Sequence, residues 1–111
     1  MATQERLTMT PIEKQIVEHL INKAVNAGYF ISIYDGEGYA IKLSNDPVAV
    51  INAMHLTDAD RVDIITQSDK YIGYIILVYD NDSYDVIHDY SESLTDFMLP
   101  IETFAESLIP Q

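Results

Sequence analysis

The sequence predicts an α+β domain in which helices cover one face of an antiparallel sheet of about five strands. Three observations lead to this class. Helical apolar spacing occurs near both ends of the chain and once in its middle, segments rich in Tyr, Ile and Val lie between, and strand–helix–strand units do not alternate. The expected order is α-β-β-α-β-β-β-α. The 111 residues suit one domain, with residues 1–10 as a flexible tail and residues 11–111 as the folded part.

The first helix has the clearest local signals. Thr10 is a good N-cap, Pro11 suits the first helical position, and Glu13 completes a Thr-x-x-Glu capping box. Apolar residues then recur with helical spacing until Gly28, a residue type that commonly ends a helix in the left-handed conformation. We therefore predict a helix over residues 11–27.

A β-hairpin and a short helix are predicted next. Residues 29–34 and 39–43 are rich in strand-forming residues, and the second segment alternates apolar and polar positions. Between them, Asp35-Gly36-Glu37-Gly38 supplies a turn with two glycines. Asp46-Pro47 then begins a short helix that we expect to end near His55.

Three further strands complete the predicted sheet. Residues 57–60 are expected to form a turn or a single helical turn, after which residues 61–67 alternate loosely. Residues 71–79 are almost continuously apolar, which is typical of a strand covered on both faces, so we predict that they form the central strand. An acidic turn at residues 80–83 leads to the last strand, residues 84–90.

The chain is predicted to end in a helix. Apolar residues keep a helical period over residues 94–108, and Ser93 with Asp96 resembles a capping box. Pro100 interrupts this pattern, and a proline inside a helix costs about 3 kcal/mol. We therefore expect a kink, or two short helices that meet at Leu99-Pro100.

The charge is strongly negative and unevenly distributed. Eighteen acids against six bases give a net charge of −12, which argues against direct binding to nucleic acid or to an anionic membrane. Lys70 is the last base, so residues 71–111 hold eight acids and no Lys or Arg. Such a surface can serve solubility alone, or it can face a partner with a basic surface.

Tyrosine and aspartate occur together in the same part of the chain. Three of the four adjacent Tyr/Asp pairs lie between Tyr79 and Tyr90. Tyrosine is enriched at protein interfaces, although it is also a good strand former. The predicted partner-binding residues are Tyr79, Asp80, Asp82, Tyr84, Asp85, Asp89 and Tyr90.

No metal site and no cofactor are predicted. The chain has no Cys, which removes thiolate ligands and thiolate nucleophiles. The run from Asp80 to Asp85 offers oxygen ligands at alternate positions, as Ca²⁺ requires. However, Asp85 stands where a calcium-binding loop needs Gly, and Ser91 stands where it needs Glu.

No catalytic site is predicted either. His19, His55 and His88 lie far apart in the sequence, and we expect each at the surface or its boundary. His88 lies between Asp85 and Asp89, and nearby carboxylates favour the charged form of a histidine. No nucleophile motif, P-loop or Gly-x-Gly-x-x-Gly motif accompanies it. An enzyme built on His88 would need a pocket around that residue.

The expected location is the cytoplasm. The absence of Cys fits a reducing compartment. Residues 1–10 contain Glu5 and Arg6 and lack the apolar stretch of a signal peptide. The longest apolar run, Ile75 to Tyr79, is far too short to span a bilayer.

Five segments carry a resemblance to a known family. Ile72-Gly73-Tyr74, Leu77-Val78-Tyr79-Asp80-Asn81-Asp82 and Asp85-Val86-Ile87-His88-Asp89-Tyr90 resemble short uncharacterised accessory proteins of tailed bacteriophages and prophages. Tyr34-Asp35-Gly36-Glu37 and Ser44-Asn45-Asp46 resemble the first hairpin of the same family, so the likeness covers residues 28–95. It implies a phage accessory role in the bacterial cytoplasm and carries no active site.

We therefore expect a non-enzymatic binding protein whose partner is a host protein with a basic surface. In a phage context, it would inhibit a host system that handles nucleic acid, in the manner of an anti-CRISPR or anti-restriction protein that mimics nucleic acid. One alternative is a protein that binds a small ligand or a divalent metal, for instance a sponge for a signalling molecule. An anionic nucleotide would require Lys42, Arg61 and Lys70 to converge. A structural phage protein is a further alternative, and both a monomer and a homodimer fit the sequence.

Overall fold

Five strands and three helices make up the described part of the chain. The computed structural model describes residues 9–79 and 85–110. The elements are α1 (Pro11–Asn26), β1 (Phe30–Tyr34), β2 (Tyr39–Ser44), α2 (Pro47–Asn52), β3 (Ala59–Ile65), β4 (Tyr71–Val78), β5 (Ile87–Tyr90), a 3-10 turn (Glu92–Leu94) and α3 (Thr95–Ser107). The predicted fold class and element order are confirmed. Residues 1–8 of the predicted tail and the predicted turn at residues 80–83 lie outside the described residues.

The first two helices begin where their capping residues predict. The capping box of α1 is complete, because the Glu13 amide donates to Thr10 Oγ1 at 3.1 Å and the Thr10 amide donates to Glu13 Oε1 at 2.9 Å. Gly28 follows α1 with a φ of +90°, as a left-handed stop requires. Asp46 caps α2 by accepting from two backbone amides. This helix ends at Asn52, three residues earlier than predicted.

The sheet is antiparallel throughout, with the strand order β2-β1-β3-β4-β5. The prediction that residues 71–79 form the central strand is wrong, because β3 holds that place. Gly73, Ile75 and Leu77 of β4 are buried, whereas Tyr74, Ile76 and the other alternate residues are only half-buried. The apolar run of β4 therefore combines residues on a buried face with apolar residues on a partly exposed face. The sequence alone does not distinguish such a strand from one that is covered on both faces.

Two strand boundaries also differ from the prediction. β3 begins within the predicted turn at residues 57–60, where Ala59 pairs with Val78 and Asp60 pairs with Leu77. The carboxylate of Asp60 is buried and hydrogen-bonded, so an acidic residue occupies a strand position that the sequence assigns to a turn. β5 begins at Ile87 instead of residue 84.

The C-terminal helix is a single element. α3 runs through Pro100, so the alternative of two helices that meet at Leu99-Pro100 is wrong. A 3-10 turn over Glu92–Leu94 directly precedes α3. Ser93 does not cap α3, because its hydroxyl donates to the carbonyl of Ile72 at 2.8 Å and so joins this turn to β4.

The helices pack on one face of the sheet and enclose the core between the two layers. Along each strand, successive side chains alternate between this face and the opposite one. The cross-strand register keeps paired residues on the same face. The larger core side chains are Ile16, Leu20, Ile21, Ile31, Ile33, Val62, Ile64, Ile75, Leu77, Met98 and Ile101.

The opposite side of the sheet, which we call the open face, has no helix of the described residues lying across it. The register places Tyr34, Arg61 and Ile76 in one row and Ser32, Asp63 and Tyr74 in the next. Its larger side chains are Tyr34, Tyr39, Arg61, Tyr71, Tyr74 and Ile76.

Candidate partner interface

The seven predicted partner-binding residues do not form one surface in the described structure. Tyr79 is buried, with 3% of its surface exposed, and its hydroxyl donates to Asp60 Oδ2 at 2.6 Å. Its inclusion in a partner-binding surface is therefore wrong, because its ring packs inside the fold. Asp80, Asp82 and Tyr84 lie outside the described residues.

The remaining three residues lie on different sides of β5. Asp89 is exposed and pairs with Ile76, which places it on the open face. Tyr90 is half-buried against the core, and its hydroxyl donates to Glu102 Oε1 on α3 at 2.6 Å. Asp85 is exposed beside the C-terminal half of α3. Of the seven residues, only Asp85 and Tyr90 thus lie near a common element, which is α3.

A small cavity of about 150 Å³ lies between β5 and α3, and we call it the acidic depression. Helical spacing of i, i+3, i+4 and i+7 brings four of its residues to one side of α3 and its C-terminal extension. The acidic depression is lined by Asp85, Ile87, Glu102, Ala105, Glu106 and Ile109.

Charge and shape in the acidic depression are complementary to a cationic side chain. Its lining combines three carboxylates, of which Asp85 and Glu106 are exposed and Glu102 is half-buried, with three apolar side chains. The hydrogen bond to Glu102 raises the pKa of Tyr90, which therefore remains a donor and orients this carboxylate. A Lys or Arg side chain could place its aliphatic stem on Ile87 and its charge among the carboxylates. Among residues 9–79 and 85–110, no three His, Asp or Glu side chains are placed to hold a metal ion.

The histidines differ in their surroundings. His55 is 1% exposed and stacks on the Tyr79 ring at a centroid distance of 4.1 Å, so the prediction of a surface or boundary position is wrong for it. His19 is half-buried and stacks on Phe104 at 4.2 Å. His88 is exposed on β5, so the described residues do not enclose it.

A buried polar cluster links α2, β3 and the end of β4. Asp60 Oδ2 accepts from the Tyr79 hydroxyl and from the His55 amide, at 2.6 and 2.8 Å. Burial raises the pKa of Asp60, and burial also raises the pKa of Tyr79, which favours its protonated, donating form. Each of these three side chains is at most 3% exposed, so the cluster serves the fold and is closed to a substrate.

The bases that an anionic ligand would need converge only in part. Lys42 Nζ lies 5.1 Å from the ring centroid of Tyr39, and Arg61 donates to the Tyr39 hydroxyl at 3.1 Å. Arg61 also forms an ion pair with Asp63 at 2.9 Å. This pair neutralises the guanidinium, so the arrangement does not favour an anionic nucleotide. Lys70 lies in the turn between β3 and β4.

A wider groove of about 750 Å³ lies between α1 and α3. Its walls include the stacked pair of His19 and Phe104 together with Glu18 and Lys23. The lining holds one acid, one base and three amide side chains, so its formal charges balance.

Comparison with known proteins gave no match. No family model matches the chain, and no curated protein and no solved structure is significantly similar to it. None of the helices within residues 9–79 and 85–110 is long and apolar enough to cross a membrane.

Proposed function

We propose that this chain is a non-enzymatic binding protein whose acidic depression receives a Lys or Arg side chain from a basic protein partner. The three carboxylates and three apolar side chains that together line the acidic depression carry this proposal. The charge-assisted hydrogen bonds that such carboxylates accept are about twice as strong as neutral ones. The apolar side chains of the lining add contact with the aliphatic stem, which a simple solvated acidic surface does not offer.

The rest of the molecule supports a basic partner. A net charge of −12 attracts positively charged proteins over long distances and raises their association rate. Within residues 85–110, six acids occur without any Lys or Arg, so no cation of the same segment competes for the carboxylates. Within residues 85–110, only a cation from elsewhere, such as one from the partner, can pair with these carboxylates.

We further propose that the partner is a host protein that handles nucleic acid. Proteins that bind a phosphate backbone present clusters of Lys and Arg, and a strongly acidic small protein can occupy such a surface. Following the resemblance to phage accessory proteins predicted from residues 28–95, we propose that the chain inhibits a host defence system, as an anti-CRISPR or anti-restriction protein does. Binding would exclude nucleic acid by competition for the same cations.

The test compares two variants with the same change in charge. In Asp85→Lys/Glu106→Lys the acidic depression is reversed, whereas Glu37→Lys/Asp58→Lys reverses two exposed acids elsewhere. Each tagged protein is used to capture proteins from a bacterial lysate at low and at high salt, and mass spectrometry identifies them. We expect the wild type and the Glu37/Asp58 variant to capture the same partner at low salt and the Asp85/Glu106 variant to lose it.

The identified partner then gives the second readout. Wild-type protein should displace nucleic acid from it, and the Asp85/Glu106 variant should not. Equal loss of capture in both variants would mean that net charge alone acts. Capture of the partner by the Asp85/Glu106 variant would contradict the proposed site. A captured protein that does not bind nucleic acid would contradict the proposed class of partner.

A further inference from the structure

The open face carries an aromatic surface that the proposed partner does not use. Tyr39 and Tyr71 are 45% and 54% exposed, and Tyr74 and Ile76 are half-buried. Tyrosine side chains offer large rigid contact area, and sheets commonly pack face to face at a distance of about 10 Å. A face of this kind is suited to a second protein surface of similar flatness.

The central charges of the open face are already paired within the chain. Arg61 Nε donates to Asp63 Oδ1 at 2.9 Å, and its guanidinium lies 4.7 Å from the ring centroid of Tyr34. The Tyr39 hydroxyl lies within 3.4 Å of Asp63 Oδ2. The centre of the open face therefore presents no net charge to a protein surface that covers it.

Two further charges lie at opposite edges of the open face. Lys42 is on the outer strand β2, where its neighbour Ile41 pairs with Ile33 on the core side. Asp89 is on the outer strand β5, opposite Ile76. The sheet order separates β2 from β5 by three strands. One edge of the open face thus carries a cation and the other a carboxylate.

We propose that a second copy of this chain covers the open face, forming a symmetric dimer with its two-fold axis parallel to the strands. This axis places β2 of each copy over β5 of the other, so Lys42 of each copy approaches Asp89 of its partner. The register sets the two residues two positions apart along the strand direction, or about 7 Å. With about 10 Å between the facing sheets, their Cα atoms lie about 12 Å apart, which the lysine and aspartate side chains span together.

Charge also favours a second copy over a basic protein at this face. With a net charge of −12, two copies repel each other wherever their acidic surfaces meet. The open face is balanced at its centre and self-complementary at its edges, so repulsion is weakest there. A basic protein gains little from a face that offers it one cation and one outer carboxylate. The dimer and the acidic depression therefore use different surfaces and do not depend on each other.

The first test measures the mass of the full-length protein in solution by sedimentation velocity and light scattering. We expect a dimer at about 100 μM that dissociates on dilution. Tyr74→Lys should shift the protein to a monomer, because it brings two charges to the centre of the interface. The fold of this variant should survive because Asp63 lies opposite the new cation. Glu106→Lys, outside the open face, should leave the dimer unchanged.

A charge exchange tests the orientation. Lys42→Glu and Asp89→Lys should each weaken the dimer about tenfold, since each removes two ion pairs from the symmetric interface. The double variant should return to the affinity of the wild type. A wild-type monomer at this concentration, a dimer indifferent to Tyr74→Lys, or a double variant without recovery would overturn the proposal. Circular dichroism of each variant checks that the fold is intact.

Discussion

Asp60 is a carboxylate held almost entirely out of water, at 2% exposure, between two hydrogen-bond donors. A buried charge is costly unless it is hydrogen-bonded, and the Tyr79 hydroxyl and the His55 amide supply these bonds. The two donors lie in the segments that follow α2 and β4, so Asp60 ties these two segments together. Burial is the largest influence on its pKa and raises it above the ordinary value of 3.8.

This raised pKa predicts a pH dependence of stability. The folded chain holds the Asp60 proton more tightly than the unfolded chain does. The contribution of Asp60 to the free energy of unfolding should therefore fall as the pH rises from about 3.8 through the raised pKa, and level out above it. Asp60→Asn removes this titration while keeping an oxygen acceptor. Relative to the wild type, the variant should thus gain stability as the pH rises, as measured by urea denaturation from about pH 4 to about pH 7.

Asp58→Asn is the matched control, because Asp58 is an exposed aspartate only two residues away. Its difference from the wild type should change much less over the same range. If the two variants showed the same pH profile, burial of Asp60 would not be the origin of the effect.

At the scale of elements, the 3-10 turn approaches β4 very closely at Gly73. A Cβ at this position would lie 2.8 Å from the hydroxyl oxygens of both Ser91 and Ser93. Both hydroxyls are in use, since Ser91 Oγ accepts from the Tyr74 amide and Ser93 Oγ donates to the Ile72 carbonyl. The missing side chain of Gly73 is therefore what lets the segment before α3 bond to the strand.

Gly73→Ala should consequently destabilise the fold by about 1–3 kcal/mol, because the added methyl group displaces hydrogen-bonded serines. Thermal or urea denaturation measures this loss. Gly38→Ala provides the comparison: a Cβ there meets no atom within 4 Å, so the change should have little effect. Equal stability of Gly73→Ala and the wild type would show that the turn can move away without cost.

The elements that the sequence predicts well are those with local signals. α1 begins with a capping box between Thr10 and Glu13, and Gly28 follows its end. Both ends of the helix are therefore specified by residues within or next to it. The place of a strand in the sheet depends instead on partners far away in sequence, such as Ile33 and Val62. This is why the hairpin was predictable and the identity of the central strand was not.

In the candidate site, too, local signals identify some residues, while the place of others depends on contacts distant in sequence. Asp85 is among the predicted partner-binding residues because the acidic bias of its segment is visible in the sequence. Glu102 and Glu106 are visible only as acids, and no local signal states that α3 lies beside β5. Their helical spacing with Ala105 and Ile109 is the signal that could have identified one acidic side of α3. Burial of Tyr79 could not be predicted, because its partner Asp60 is 19 residues away.

At the scale of the whole molecule, the net charge of −12 lowers the free energy of unfolding. Like charges held on one small domain repel each other, and salt screens this repulsion over about 10 Å at 0.1 M. The free energy of unfolding should therefore rise with sodium chloride, by about 1 kcal/mol, which corresponds to a melting temperature about 4 °C higher. Scanning calorimetry at several salt concentrations measures this rise.

Asp85→Lys/Glu106→Lys, which changes the net charge from −12 to −8, should show a smaller rise. A melting temperature that falls with salt would mean that specific ion pairs outweigh the general repulsion, contrary to this expectation.

The outer strands of the sheet have a consequence for the protein at high concentration. β2 pairs irregularly with β1 at two places, and Leu43 in it has a φ of +47°. β5 is only four residues long and carries the exposed Asp89. Irregular, short or charged edges are poor templates for another strand. Both borders of the sheet therefore resist edge-to-edge polymerisation into fibrils, and concentrated solutions should remain free of cross-β aggregates even where the faces associate.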